Sequence, residues 1–561
     1  MSGPAPTRTT VLHNPVIRGF APDPSMVRVG DWYYVANSSF EWFPTIPIHR
    51  SRSLATWEYT GHVEGAAPGG TLAGVPDSGG IWAPSLSWDG EQFWMVYAVV
   101  RSVGTPYFET DTYITTAEQV SGPWAEPRRI ASHGFDPALF HQDGRLWLLN
   151  LQNDHRPGGQ RFSGIILTEL GRENLAPVGE TKLLLQHDRL IEGPKLLQHD
   201  GWYYLTLAEG GTGFEHGVRM ARSRNLCGPY ELDELPLLTT RDDSTVQLQK
   251  AGHGELVETP DGQWVLCHLT ARPLHTPAGP RCTLGRETAI QAITWDEGNW
   301  PRLRHGGWHP ASNVEMTLAS TTAAPEPQTE HSSLGWPWST LREPPSPAWA
   351  DTTSRPGWIR LRGRNGPESR WDQSLLAQRL TEHHATAQVT IDAAPSTFTQ
   401  AAGLILRYDA AAYLSLDLTW AEPPGEPQRG QQWQSGGRMV LSLIDRDENG
   451  ARQSAQLEIA PNTPVTLGVT IDRDIARFWY TTSDARTPVG PALDCSRLSD
   501  DHGGVLRFTG TLVGIHARDL VDQTFTADFS DFRLTCGSTA DATIRPATAP
   551  DTQAAPPRLH A

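Results

Sequence analysis

Cysteine is scarce in this chain. Five are spread over 561 residues, at Cys227, Cys267, Cys282, Cys495 and Cys536. The number is odd and no CxxC or other metal-ligand spacing occurs, so no disulfide framework is indicated. Basic charge is also short, with 46 Lys+Arg against 63 Asp+Glu and a net charge of −17. A nucleic-acid-binding surface needs a basic stripe, and none is present. No run of 18 apolar residues exists, so no membrane span is expected. The opening "MSGPAPTRTTVLHNP" lacks the apolar centre of a signal peptide. These deficits together point to a soluble chain in a reducing, cytoplasmic setting. A chain of this length exceeds one ordinary core, so two or more domains are expected.

Tryptophan, by contrast, is plentiful, with 21 residues. Trp stacks on flat apolar ligand faces, sugars included, but more often it fills cores.

A phrase recurs along the first 270 residues. Gly or Asp-Gly is followed by an aromatic-rich run, in "VGDWYYVANS", "DGEQFWMVYAV", "DGRLWLLNL", "DGWYYLTLAE" and "DGQWVLCHLT". The turn glycines Gly30, Gly90, Gly144, Gly201 and Gly262 are separated by 60, 54, 57 and 61 residues. Each reads as a hairpin turn leading into a strand. Four of the five preceding strands begin with an X-Pro step: "PDPSMVRVG", "WAPSLSWDG", "FDPALFHQDG" and "EGPKLLQHDG"; the fifth begins "AGHGELVETPDG". A unit of this length, repeated five times and all-β, predicts a five-bladed β-propeller. An irregular β-sandwich is the competing arrangement.

In a propeller the first strand of each blade lines the central channel. The X-Pro region there holds Asp23, Trp82-Ala83, Asp136, Glu192-Gly193 and Gly252-His253 in turn. Three blades would therefore aim a carboxylate at one axis. The prolines confine the backbone, most tightly around Asp23, caged between Pro22 and Pro24. Acids buried together raise one another's pKa, which suggests chemistry; the plainer alternative is turn capping. Two carboxylates across a pocket are the minimal equipment for hydrolysing a glycosidic bond. Short, rigid Asp23 suits the base for water, and longer Glu192, followed by Gly193, suits the acid. Asp136 would lie between them and help keep Glu192 protonated.

The segments "NPVIRGFAPDPSMVRVGDWYYVANSSFEWFP", "GIWAPSLSWDG", "GFDPALFHQDGR", "IEGPKLLQHDGWYYLTLAEGGTGFEHGVRMARS" and "CTLGRETAI" closely resemble glycoside hydrolase family 43, in its β-xylosidase subgroup with a C-terminal β-sandwich. The resemblance runs from about Asn14 to Trp308 and continues more weakly beyond. It implies an inverting mechanism with Asp23 as general base, Glu192 as general acid and Asp136 tuning the acid. Inversion needs room for a water, so the two carboxyls should lie about 6.5–9.5 Å apart. Phe40 and Trp82 look like aromatic walls of the terminal sugar site, and Arg286 like the arginine that spans the substrate. His253 matches a histidine that in relatives helps bind a channel water or a calcium ion. No cofactor is required by this reading, although it allows a calcium ion there. One departure concerns the leaving-group side, where relatives commonly carry Trp and this chain has Asn153.

Past "GGWHPASNVEM" a Pro/Ser/Thr-rich stretch, residues 318–356, reads as a linker. Alternating strands then return over 357–537, predicting an antiparallel β-sandwich of jelly-roll type. In the resembled subgroup such a domain closes the pocket with a loop aromatic, for which Phe508 is the candidate. Residues 1–13 read as a flexible N-terminus, 14–317 as the propeller and 538–561 as a disordered tail. The expected activity is exo-hydrolysis of short β-1,4-xylooligosaccharides, a small oligosaccharide being the only partner required. An α-L-arabinofuranosidase, or an enzyme with both activities, is the main rival, and a non-catalytic sugar-binding propeller a third reading. A homo-oligomer stays open.

Overall fold

The five phrase glycines have φ between 60° and 105°, the left-handed turn geometry that glycine adopts without strain. At two of them the preceding aspartate is left-handed too, Asp143 at 51° and Asp200 at 47°. Two consecutive positive φ values make the two-residue turn whose twist matches the flanking strands. Gln142 accordingly pairs with Arg145, and His199 with Trp202. The protein is described by a computed structural model over residues 7–319, 334–422, 437–460, 463–482, 485–504 and 506–537.

Each hairpin seeds one antiparallel blade. Blade I comprises Ser25–Val29, Trp32–Ala36, Pro47–Ser51 and Glu58–His62. Blade II comprises Gly80–Trp88, Phe93–Val100, Thr110–Ala117 and Arg128–Ile130. Blade III comprises Gly134–Gln142, Arg145–Asn153, Phe162–Leu170 and Pro177–Leu185. Blade IV is built from Ile191–His199, Trp202–Glu209, Gly217–Ser223 and Glu231–Leu232, with Leu238–Thr239 beside its third strand. Blade V comprises Gln249–Glu258, Trp264–Ala271, Glu287–Trp295 and Pro301–Leu303. The first strands contact one another in cyclic order, and blade V returns to blade I. The first unit is thus a five-bladed propeller.

Its core consists of layers between blades. Ile48 and Val99 meet in the layer between blades I and II, Trp94 and Leu148 between II and III, and Leu149 and Leu207 between III and IV. Val218 and Leu266 join IV to V, and Val35 and Ile290 join V to I. Each such side chain contributes about 1.5–3 kcal/mol by leaving water. Several tryptophans, among them Trp94, Trp124 and Trp147, take part in this packing.

The N-terminal segment differs from the flexible one expected. Thr7–His13 forms a strand paired antiparallel with Asn313–Ala319, and Leu12 is buried in the layer between blades V and I. Asn14 then binds blade V through its side chain: Nδ2 donates to the carbonyls of Ile290 and Ala311, and Oδ1 accepts the Ile290 N–H. Val16 and Ile17 exchange backbone bonds with Thr288, and Ala21 N–H reaches the Arg286 carbonyl. Unpaired backbone groups are costly to bury, so this segment is held at every step.

The second unit takes residues 274–284 as well as those from 331 onward. The hairpin Leu274–Thr276 and Gly279–Arg281 is therefore an excursion out of blade V, which the contiguous 14–317 boundary did not foresee. Leu284 is the reason, an apolar side chain packed in the core of the second unit. That unit is an antiparallel two-sheet sandwich. One sheet contains Thr526–Cys536, His384–Ala393, Val465–Asp472 and Ile475–Thr481; the other contains Leu512–Asp519, Gln400–Asp409, Ala412–Ala421 and Arg438–Asp447. His384–Ala393 buries alternate residues, as period-2 patterning requires. Ala350–Asp351 already belongs to the first sheet, so the expected linker ends earlier than residue 356. Residues 320–333 of that linker and the 538–561 tail lie outside the described residues. No helix among the described residues is long and apolar enough to cross a membrane.

Candidate active site

The five first strands share one backbone device. Asp23, Ala83, Asp136, Gly193 and His253 all have positive φ, at 50°, 30°, 51°, 56° and 41°. In blades II to V a register shift falls at the same point of the first hairpin. A residue before proline is ordinarily extended. Here four such residues turn left-handed instead, which costs roughly 1–3 kcal/mol at a non-glycine position. Among them, Asp23 and Asp136 occupy this bulge position, whereas Glu192 precedes it by one residue and Gly193 takes the strained conformation.

The bulges bring the three acids together. Asp23, Asp136 and Glu192 are only 6%, 6% and 8% exposed. Asp23 Oδ1 accepts a 2.7 Å bond from Arg286 Nη1, and Oδ2 accepts one of 2.7 Å from Ser38 Oγ. Ser38 Oγ also accepts the Ala83 N–H at 2.7 Å, tying blades I and II at this point. Asp136 Oδ2 accepts the Gly193 N–H at 3.0 Å, which fixes Asp136 beside Glu192.

Electrostatics separates the acids. Burial pushes the Asp23 carboxyl up, but Arg286, with His253 and Ser38, overcomes it and holds Asp23 below the ordinary carboxylate range. Burial followed by the charge of Asp23 pushes Asp136 up to about 7, opposed by the Gly193 N–H and Lys195. Glu192 is raised well above its usual range by burial first, then by Asp136 and Asp23. Among the described residues Glu192 shows no hydrogen bond comparable to Asp136's, and its burial favours the neutral form. Desolvation thus does more than the neighbouring charge that the sequence reading invoked. The charges of Asp23, Asp136 and Arg286 all bear on the Glu192 carboxyl, so the four groups lie within electrostatic reach of one another.

Arg286, Phe40, Trp82 and His253 gather around this trio. Arg286 is 1% exposed, and its guanidinium lies 5.8 Å from the Phe40 ring centroid. Phe40 is buried and its ring lies 6.0 Å from Trp82. Trp82 is half-buried and donates its indole N–H to the Ser78 carbonyl. His253 Nδ1 is 3.9 Å from Asp23 Oδ1, and burial lowers the imidazole to about 4, so it is neutral. Calcium takes 6–8 oxygen ligands. His253 offers one nitrogen beside a carboxylate already held by Arg286 and Ser38, and these residues do not make a calcium cage. Phe508 lies in the second unit, where its ring is buried.

Sequence reasoning missed four supporting residues. Ser38 is one. His216 is a second: its buried imidazole lies so close to Gly252 that a Cβ there would stand 2.4 Å from the ring. The third and fourth form an ion pair beneath the acids. Buried Lys195 Nζ lies 3.7 Å from Glu255 Oε2, and that oxygen accepts from Ser25 Oγ and the Met26 N–H. Lys195 stands three residues after Glu192 on the same channel strand, a spacing that could have marked it.

Comparison with known proteins agrees with this geometry. The family model for glycosyl hydrolases family 43 matches residues 12–301, and that for the beta xylosidase C-terminal concanavalin A-like domain matches 330–535. The chain belongs to glycosyl hydrolases family 43. It is 38% identical to xylosidase/arabinosidase 43B of Humicola insolens, over 93% of this chain and 97% of the relative. It is 35% identical to a xylan 1,3-beta-xylosidase of a Vibrio species, over 93% and 99%. Among solved structures, a xylan beta-1,4-xylosidase from Bacillus halodurans C-125 superposes with a TM-score of 0.86 at 39% identity, covering 93% of this chain and 99% of that one. This family 43 member is therefore a glycoside hydrolase whose propeller and sandwich both have counterparts in its relatives.

Proposed function

We propose that this glycoside hydrolase releases xylose from the non-reducing ends of short β-xylooligosaccharides by an inverting mechanism. The observation that carries the reading is the opposite protonation of two buried carboxyls in one cavity, Asp23 ionised and Glu192 neutral. Glu192 gives its proton to the glycosidic oxygen as the bond from that oxygen to the anomeric carbon breaks. Asp23 takes a proton from the water whose oxygen bonds the anomeric carbon from the opposite face. Asp136, held by the Gly193 N–H, maintains the proton on Glu192 and orients the sugar. Arg286 keeps Asp23 charged and lies beside Phe40, where a guanidinium can grip vicinal hydroxyls. The near-complete burial of Phe40, Arg286 and the acids favours a pocket for one terminal sugar, hence exo action. The names of the relatives support xylose, with β-1,4 or β-1,3 linkage.

A second reading, α-L-arabinofuranosidase activity in the same pocket, is favoured by the double name of the Humicola insolens relative. Hydrolysis rates on 4-nitrophenyl β-D-xylopyranoside and α-L-arabinofuranoside separate the two. NMR of the first-formed xylose anomer from β-1,4- and β-1,3-xylobiose tests linkage and stereochemistry together. The α-anomer is expected, and first appearance of the β-anomer would refute inversion.

A further inference from the structure

A cleft of about 570 Å³ opens between blades II and III, outside the cavity of the three acids. Its lining includes Arg101, Phe108, Asp111, Arg129, Gly134 and Asn153. Two connections join it to the active site. Gly134 lies two residues before Asp136 on the same strand. Phe108 packs edge-on against Trp82 at 5.4 Å, and Trp82 in turn meets Phe40. The cleft therefore begins where the aromatic wall of the sugar pocket ends.

Its chemistry suits hydroxyl groups. Asp111 accepts from Arg101 Nε at 2.9 Å through one oxygen and from Arg129 Nε at 2.8 Å through the other. One carboxylate thus orients two guanidinium forks, and Glu109 beside it balances the remaining positive charge. An anion gains little from such a balanced site, whereas a neutral polyol meets both donors and acceptors. Asn153 has a shielded carboxamide oxygen with no hydrogen-bond partner among the described residues. A buried acceptor left unmet is costly, and a sugar hydroxyl would supply the donor. At the rim, Tyr107 is 68% exposed and its ring lies 5.0 Å from that of His155, another lining residue. An exposed aromatic held in place by a neighbouring ring is a ready stacking face.

We propose that this cleft binds the part of a neutral oligosaccharide leaving group that lies beyond the sugar next to the scissile bond. The proposal rests on the β-xylosidase reading and adds to it a preference for longer chains, read by Asn153, the paired arginines and Tyr107 within the propeller. The test compares kcat/KM for 4-nitrophenyl β-D-xylopyranoside, xylobiose, xylotriose and xylotetraose in the full chain. The parent protein is expected to gain severalfold from xylobiose to xylotriose. In Tyr107→Ala, and separately in Arg129→Ala, the ratio of kcat/KM for xylotriose to that for the 4-nitrophenyl xyloside should fall about fivefold, the size of one stacking or hydroxyl contact. Both positions are exposed, so the fold should survive, and circular dichroism checks it. Turnover that is blind to chain length, or a ratio unmoved in both variants, overturns the cleft alone. Absence of turnover on every xyloside overturns the β-xylosidase reading with it.

Discussion

Gly193→Ala is the sharpest probe of how the backbone builds this site. The substitution adds one methyl group at φ 56°, where an L-residue pays about 1–2 kcal/mol. Space adds to the penalty. The new Cβ would stand 2.9 Å from His253 Cε1, 3.0 Å from Nε2 and 3.1 Å from Nδ1, over the face of the imidazole. His253 is buried, and the residue before it, Gly252, already abuts the His216 ring, so the imidazole has little room to retreat. Overpacking of this kind costs about 1–3 kcal/mol. The sum, about 2–5 kcal/mol, should lower Tm by several degrees without abolishing folding. Function should suffer more. The Gly193 N–H holds Asp136, the Glu192 carboxyl is one residue away, and His253 faces Asp23. Displacing these groups by about 1 Å costs on the order of 100-fold in turnover. Calorimetry gives Tm, and 4-nitrophenyl β-D-xylopyranoside gives kcat. Parent-like values of both would refute the claim that glycine is needed here and, with it, the account of how Glu192 is positioned.

Asp23→Ala and Glu192→Ala should each reduce turnover by orders of magnitude with the fold retained. Activated leaving groups should partly rescue Glu192→Ala alone, because they need little proton donation; rescue of Asp23→Ala instead would reverse the two roles. The pH profile of kcat/KM should be a bell whose acid limb lies below the ordinary carboxylate range, from Asp23, and whose alkaline limb lies above it, from Glu192 coupled to Asp136. For stability the signs are opposed. Asp136 and Glu192 hold protons more tightly when folded, so their contribution is full at low pH and is lost as pH rises, through about 7 for Asp136. Asp23 contributes above its unfolded pKa and loses that contribution as pH falls. Urea titrations from pH 3 to 9 should therefore show a maximum at intermediate pH, and a monotonic curve would contradict these assignments. Arg286→Ala leaves the Asp23 carboxylate buried without its cation and should cost about 3–5 kcal/mol by urea denaturation.

Much of this was legible because repetition samples one structural position several times. Gly30, Gly90, Gly144, Gly201 and Gly262 mark hairpins that all form, and the X-Pro steps mark the strands that line the channel. The offset of Glu192 from the bulge position was not legible. Proline before or after a residue argues for extended backbone, and only the closed ring makes Asp23 and Asp136 left-handed. Ser38 and His216 carry no local mark, since their roles arise from burial among distant neighbours, and Lys195 is marked only by its spacing from Glu192 on one strand. Composition misled at Thr7–His13, whose strand depends on a partner some 300 positions away, and at Leu284, whose core belongs to the other unit. Asn153 was visible as an unusual residue, but the cleft it lines exists only through the packing of two blades.

The way the ring closes has a bearing on how the protein would fail. Among the described residues each blade is built from one continuous stretch of chain, so the seam between blades V and I is sealed by side-by-side layers, the Thr7–His13 strand and the Asn14 clasp. Asp23 stands just past that clasp on one side of the seam, and Arg286 stands on the other. Peeling the first twenty residues away, by proteolysis or mechanical load, would part the base from its counter-ion while four blades keep their shape. Such a molecule would still look folded by spectroscopy and would already be inert.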